Sequence, residues 1–196
     1  MKNKLITFID AFAYYIISAF YFWVYIFRGG VIYGFFPAAV GLVKSVQNRT
    51  EGHLPIKTVF SDTYRQYKSQ KWLSFFLFFL TSSSIASTIN PALVAGTGIG
   101  FLQIPLILVT MMLWVHAIYS VYFFAEQNKK PAKWIYALAF DTSIRHPFKS
   151  LVILTTLLAL SLLAIINLII FIFFVPPLFI LLTKRLIYFP DILTRT

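Results

Sequence analysis

The stretch LVILTTLLALSLLAIINLIIFIFFVPPLFILLT (residues 151–183) continues for 33 residues without a charged side chain. A helix that crosses the hydrocarbon core of a bilayer needs about 20 apolar residues. The stretch is therefore long enough for two short crossings that meet near Asn167, which is the interpretation that we prefer. The alternative is one long helix with a kink at Pro176–Pro177, because proline interrupts helical hydrogen bonds.

Three more long apolar segments precede this one. They are Leu5–Phe27, Trp72–Ala95 and Phe101–Ala125. The first begins after two lysines, as a signal peptide does, but its apolar region is too long and too aromatic, so we interpret it as an uncleaved anchor. The sequence predicts an all-α, polytopic transmembrane bundle that forms a single integral membrane domain over residues 1–196.

The composition agrees with this class of protein. The chain is 59% hydrophobic and 12% charged, whereas a soluble domain has about 45–50% and about 25%. A net charge of +11 would suggest nucleic acid in a soluble protein, but here it indicates membrane topology and contact with the anionic inner leaflet. We therefore expect lipid partners and no nucleic acid. The absence of cysteine excludes disulfides and cysteine nucleophiles.

The basic residues predict which parts of the chain face the cytoplasm. Most of them fall in two polar stretches, residues 44–71 and 129–149, whereas Asn90–Gly100 carries no charge. Lys and Arg accumulate on the cytoplasmic side of membrane proteins. We therefore expect a multi-pass protein of the cell membrane with both basic stretches and the C-terminus in the cytoplasm. In the preferred scheme the N-terminus is cytoplasmic as well.

The segment FRGGVIYGFFPAAVGLVK (Phe27–Lys44) separates a six-span scheme from a five-span scheme. Its apolar part, residues 31–43, would make a helix of only about 20 Å, against about 30 Å of hydrocarbon. We expect a broken sixth span that packs in the bundle interior, where irregular backbone is tolerated. In the alternative, Lys2 and Lys4 lie outside, the segment lies shallowly on the inner side, and five spans remain. The residues that mark the break are Gly29, Gly30, Gly34, Pro37, Ala38 and Ala39.

Two amphipathic helices are predicted on the cytoplasmic surface. The first lies within Pro55–Lys71 and the second within Lys129–Lys149. Basic, aromatic helices of this kind rest on anionic headgroups or dock another protein, and both interpretations are open. The predicted apolar faces are Ile56, Val59, Phe60, Tyr64 and Tyr67 in the first helix, and Trp134, Ile135 and Leu138 in the second.

Few polar residues lie within the predicted spans. They are Asn90, Gln103, His116 and Asn167. All six carboxylates lie at span ends or in polar stretches, which argues against a carrier coupled to protons or cations. No second histidine or carboxylate shares the helix face of His116, so a metal site lacks ligands. We therefore predict no catalytic, cofactor-binding or metal-binding residues, and a protein that is not an enzyme.

The segment Gly30–Trp72 resembles the N-terminal signature of the YesL family of small bacterial membrane proteins. The matching positions are Gly34, Pro37, Ala38, Ala39, Phe60, Tyr64 and Lys71. One departure is Arg28-Gly29-Gly30, where the family pattern has a Leu-Pro-type break with Val and Thr. The resemblance implies a protein without established biochemical activity that accompanies carbohydrate ABC importers and glycan-degrading enzymes in Gram-positive bacteria.

These observations lead to one preferred function and two alternatives. The preferred function is a non-catalytic accessory or regulatory subunit of a carbohydrate ABC importer, docked on its permease or nucleotide-binding subunit. The candidate docking residues are Tyr64, Arg65, Lys68, Trp134 and Arg145. One alternative is a stand-alone solute carrier or channel with the four intramembrane polar residues along its path. The other is a membrane enzyme of envelope glycan assembly.

Overall fold

The computed structural model describes residues 2–51, 54–89, 99–127 and 130–188, which form eight α-helices. A short 3₁₀ helix at Ile99–Leu102 leads into the fifth of them. The helices are α1 (Lys2–Arg28), α2 (Phe35–Glu51), α3 (Ile56–Tyr67), α4 (Lys71–Ile89), α5 (Gln103–Glu126), α6 (Ala132–Arg145), α7 (Pro147–Ile166) and α8 (Leu168–Tyr188).

Five of these helices are long and apolar enough to cross a membrane, namely α1, α4, α5, α7 and α8. This confirms the predicted all-α bundle of a multi-pass membrane protein. The helix α2 is not among the five, since it has only 17 residues and its apolar part ends at Lys44. The described helices therefore correspond to the five-span scheme and not to the preferred sixth span.

The boundary between α7 and α8 falls at Asn167, as predicted. The backbone of Asn167 is extended, with φ −154° and ψ 104°. Its side-chain Oδ1 accepts hydrogen bonds from the backbone N–H groups of Ile169 (3.0 Å) and Ile170 (3.1 Å). A side chain that caps a helix in this way satisfies N–H groups that have no helical acceptor. The long uncharged stretch therefore consists of two helices that meet at Asn167. Pro176–Pro177 lies inside α8 and does not mark the boundary between the two helices.

The broken segment folds as a turn followed by α2. Residues 29–34 form the turn, and α2 then packs along α1, where the hydroxyls of Ser18 and Ser45 share a 2.7 Å hydrogen bond. The residues Phe36, Val40 and Val43 are fully buried. The segment therefore lies in the interior of the bundle, as expected, although α2 is not a candidate span.

Both predicted amphipathic helices are present as α3 and α6. Pro55 precedes α3 and Pro131 precedes α6, each as the N-cap residue. The buried face of α3 contains Val59, Phe60 and Tyr67, as the periodicity predicted. The apolar face predicted for α6 is partly wrong, since Ile135 is buried but Trp134 is 42% exposed. At the helical period Trp134 lies at the edge of the exposed side of α6, which the spacing of apolar residues alone did not reveal.

Candidate functional site

A partly open cavity of about 470 Å³ lies between the membrane-spanning helices. All five candidate spans contribute to its wall, and α2 and the preceding turn complete it. Ligand-binding cavities in proteins measure about 300–1,000 Å³. The size and position make this cavity one candidate functional site.

The wall of the cavity is almost entirely apolar. Aromatic rings of Phe22 and Trp23 on α1, Trp114 on α5 and Phe171 and Phe179 on α8 contribute to it. The few polar groups come mainly from small hydroxyl residues such as Ser82. The cavity is partly open and its wall offers few polar partners, so water is a poor occupant. The cavity is therefore expected to contain apolar material in the membrane.

Both indole N–H groups in the cavity wall have acceptors. Trp23 Nε1 donates to the carbonyl oxygen of Ile172 (2.8 Å), and Trp114 Nε1 donates to Oγ1 of Thr81 (3.0 Å). A buried tryptophan usually satisfies its N–H in this manner. The two rings consequently need no polar ligand in the cavity.

One end of the cavity is formed by the turn between α1 and α2. Val31 and Ile32 line the cavity, and both Gly30 (φ 71°) and Val31 (φ 63°) adopt the left-handed region. This conformation suits glycine but strains a β-branched residue. Such strain persists only when the surrounding structure fixes the backbone, and it is common at functional sites.

Two cations lie beside this turn. The guanidinium of Arg28 lies over the rings of Tyr25 (5.6 Å) and Tyr64 (5.9 Å), and the ammonium of Lys71 lies over Tyr33 (5.8 Å). In the part of the chain that the structure describes, neither cation pairs with a carboxylate. The turn, two of whose residues line the cavity, therefore has positive charge at its side that no carboxylate of the described residues compensates.

The described intramembrane polar residues do not converge. Gln103 Nε2 makes a long hydrogen bond to the carbonyl of Ser87 (3.4 Å), His116 lies against the rings of Tyr136 and Phe140, and Asn167 caps α8. None of these three lines the cavity. Asn90 lies outside the described residues. The structure thus shows no shared polar path among the three.

The helix α3 contributes a charged surface to the protein. Its apolar face packs against α1 and α2, where the rings of Tyr21 and Tyr25 stack on Phe60 (6.0 and 5.7 Å). Of the predicted docking residues, Arg65 and Lys68 are exposed, whereas Tyr64 is half-buried and contacts Tyr25. We define the outer face of α3 by its exposed residues, namely Lys57, Thr58, Asp62, Arg65, Gln66, and the adjacent Lys68 and Ser69.

The helix α6 contributes a mixed apolar and basic surface. Phe140 and Ile144 are 52% and 55% exposed, and the Lys130 ammonium lies over the ring of Trp134 (5.3 Å). Arg145 pairs with Asp141 at 2.8 Å, one turn earlier in the helix. We define the outer face of α6 as its exposed residues, which occupy one continuous arc: Lys133, Trp134, Ala137, Phe140, Asp141, Ile144 and Arg145.

Phe124 of α5 joins α3 to α6 inside the protein. The hydroxyl of Tyr67 donates to the carbonyl oxygen of Phe124 (2.9 Å), and the ring of Phe124 meets that of Tyr136 at 5.2 Å. Tyr136 in turn donates to Oε1 of Gln70 (3.0 Å).

Burial raises the pKa of Tyr67 and of Tyr136 to about 12. Burial also lowers the pKa of Lys44, whose ammonium lies 5.0 Å from the Tyr67 ring.

Sequence reasoning missed two parts of this site. It identified neither the cavity nor its two tryptophans, because the wall combines positions from distant helices. It also missed Phe140 and Ile144. The exposed positions 133, 137, 140 and 144 follow one another at intervals of four, three and four residues, which is the spacing of one helical face. The sequence therefore contained a signal for this face.

The fold and its apolar exterior define a polytopic helical membrane protein. No protein-family model, curated protein or solved structure matches the chain. Its function is therefore inferred from its own residues and surfaces.

Proposed function

We propose that the protein is a non-catalytic accessory subunit of a carbohydrate ABC importer and docks on the permease or nucleotide-binding subunit. The observation that carries the proposal is the outer face of α6, where Trp134, Phe140 and Ile144 are exposed beside Arg145. Tryptophan and arginine are enriched among the residues that contribute most of the binding energy at protein interfaces, and phenylalanine is enriched in interfaces generally. The choice of an importer as the partner is supported by the resemblance of Gly30–Trp72 to the YesL family, which implies an association with carbohydrate ABC importers.

The outer face of α3 fits the edge of such an interface. Arg65 and Lys68 are exposed and the remaining residues of that face are polar. A polar, charged rim around an apolar centre favours specificity and association rate more than affinity. Because Tyr64 packs against Tyr25 and Arg28, we propose that it stabilises the packing of α3 on α1 and does not contact the partner.

Co-purification from the native membrane in mild detergent tests this function. The parent chain should retain a permease or nucleotide-binding subunit at stoichiometric yield, and the double variant Phe140→Ser/Ile144→Ser should lose it. The control is Ile165→Ser on α7, an exposed apolar residue (83%) outside the proposed interface. Retention of the importer by the double variant, or no importer subunit with the parent chain, would refute the proposal.

We further propose that the protein lies in the cell membrane and that the outer faces of α3 and α6 are on its cytoplasmic side, because both faces lie in the basic stretches.

Contacts of the turn support the five-span scheme. The N–H of Phe36 donates to Oγ of Ser74 (2.9 Å), near the Lys71 end of α4. If Lys71 is cytoplasmic, the Arg28 end of α1 lies on the same side, and a crossing by α1 puts Lys2 and Lys4 outside.

A stand-alone carrier has less support. Its polar path would need Gln103, His116 and Asn167 to share a route, yet each serves a separate local contact. The cavity that the helices do form is apolar. Within the described residues, no group of three or more His, Cys, Asp or Glu side chains could hold a metal ion. The outer face of α6 remains the better-supported site.

A further inference from the structure

We propose that the central cavity binds one acyl chain of an anionic membrane phospholipid, whose phosphate lies beside Arg28 and Lys71. Most wall residues belong to the five candidate spans, so we place the cavity at the depth of lipid chains. Water is a poor occupant, because each water needs several polar partners and this wall has few. An acyl chain is the apolar material that the surrounding membrane supplies.

The shape of the wall agrees with this occupant. Trp23 and Trp114 have their N–H groups bonded to Ile172 and Thr81, so their rings are free to contact methylene groups. Leu157 on α7 and Phe179 on α8 extend the apolar wall. A flexible chain fits such a wall without a directed polar contact.

The charge at one end selects the headgroup. Val31 and Ile32 line the cavity, Arg28 directly precedes the turn that contains them, and the Lys71 ammonium lies over the ring of Tyr33 in that turn. Both cations lie on tyrosine rings and neither pairs with a carboxylate in the described ranges. Arginine and lysine bind phosphate through charge-assisted hydrogen bonds. An anionic phospholipid satisfies both ends of the site, whereas a neutral lipid leaves the excess positive charge unmatched.

Tryptophan fluorescence offers a direct test. In the variant Trp72→Phe/Trp134→Phe, the remaining tryptophans are the two of the cavity wall. This protein is reconstituted in phosphatidylcholine vesicles that contain increasing fractions of phosphatidylglycerol with brominated acyl chains, which quench fluorescence on contact. We expect quenching that saturates at a low fraction of brominated phosphatidylglycerol and needs a severalfold higher fraction of brominated phosphatidylcholine. Quenching that rises in simple proportion to either brominated lipid would overturn the proposal.

Cavity-filling variants locate the quencher. Ala39→Phe and Ser82→Phe each place a ring in the wall, and Ser82 is exposed, so its variant should fold even if Ala39→Phe does not. Both should remove the saturable quenching, while Ala137→Phe on the outer face of α6 should keep it. Arg28→Gln/Lys71→Gln should raise the half-saturating fraction of phosphatidylglycerol severalfold. Saturable quenching in a folded Ser82→Phe variant would show that the lipid binds elsewhere.

Native mass spectrometry of the detergent-extracted full chain identifies the source of the acyl chain. We expect one retained phospholipid per chain with an anionic headgroup. Retention of a free fatty acid, a detergent molecule or nothing would contradict the proposal. The result is independent of the importer, since the lipid measurement uses the purified chain alone.

Discussion

The ring of Phe60 occupies the space that a side chain at Gly41 would need, since a Cβ on Gly41 would lie 2.9 Å from Cδ1 of Phe60. This contact brings α3 against α2 and explains why glycine is required at a helical position. It also means that the position of α3 depends on the smallest residue of α2.

The first prediction concerns this contact. Gly41→Ala should lower the free energy of unfolding by about 1–3 kcal/mol, because overpacking forces the neighbouring ring to move. In the background Phe60→Leu, the same substitution should cost clearly less, since the smaller side chain leaves room. Thermal unfolding of the four proteins in detergent gives the coupling between the two positions. Additive effects would contradict the packing described.

The second prediction separates two glycines of the turn. A Cβ on Gly34 would lie 2.7 Å from the carbonyl oxygen of Tyr25, whereas a Cβ on Gly30 would meet nothing within 4 Å. Gly34→Ala should therefore strongly reduce the yield of folded protein. Gly30→Ala should cost only about 1–2 kcal/mol, the cost of a left-handed conformation for a residue with Cβ. Size-exclusion profiles of the extracted variants check this order, and equal loss in both would count against it.

The third prediction concerns alkaline stability. The pKa of Tyr67 is about 12 in the folded protein, against about 10 in an unfolded chain. The folded state holds this proton more tightly, so the associated stability is complete below about pH 10 and is lost between about pH 10 and 12. At neutral pH, Tyr67→Phe should lower the free energy of unfolding by about 1 kcal/mol, because the hydrogen bond to the carbonyl of Phe124 is removed. Between about pH 10 and 12 the free energy of unfolding should then fall less in this variant than in the parent.

Unfolding temperatures of parent and variant at several pH values measure this difference. Tyr136→Phe provides a comparison, because burial raises the pKa of Tyr136 to about 12 as well. An alkaline loss of stability that is the same in the parent and in Tyr67→Phe would mean that Tyr67 does not contribute to it.

The fourth prediction concerns topology. The chain has no cysteine, so single-cysteine variants report the side of the membrane directly. In the five-span scheme, Lys4→Cys should react with an impermeant thiol reagent from outside the cell, whereas Lys57→Cys and Lys133→Cys should react only after the membrane is opened. Labelling of all three from one side would show that α1 does not cross.

Local sequence patterns predicted most of the helices but not their partners. Asn167 marked the end of one helix and the start of the next because its side chain caps locally, a relationship that spans only three residues. The periodicity of α3 likewise revealed its buried face. The sequence did not show that this face packs on Tyr21 and Tyr25, because such contacts depend on how distant helices are arranged.

The sixth span and the cavity illustrate what lies beyond local patterns. The glycines before α2 and Pro37 in its first turn correctly indicated an interrupted, buried segment. The helix itself is too short, and its apolar part ends too early at Lys44, for an independent crossing. The cavity arises where aromatic residues from several helices leave a gap. Whether a gap remains between helices depends on their packing and not on the apolar character of each one.

The hydrogen bond from Trp23 to the carbonyl of Ile172 joins residues that are 149 positions apart. During synthesis, α1 leaves the ribosome well before the segment that accepts this bond. The bond can therefore form only after the helices between the two residues have been made. A truncation that removes α8 would leave the indole N–H of Trp23 without this acceptor, and the shortened chain should be degraded faster by membrane proteases.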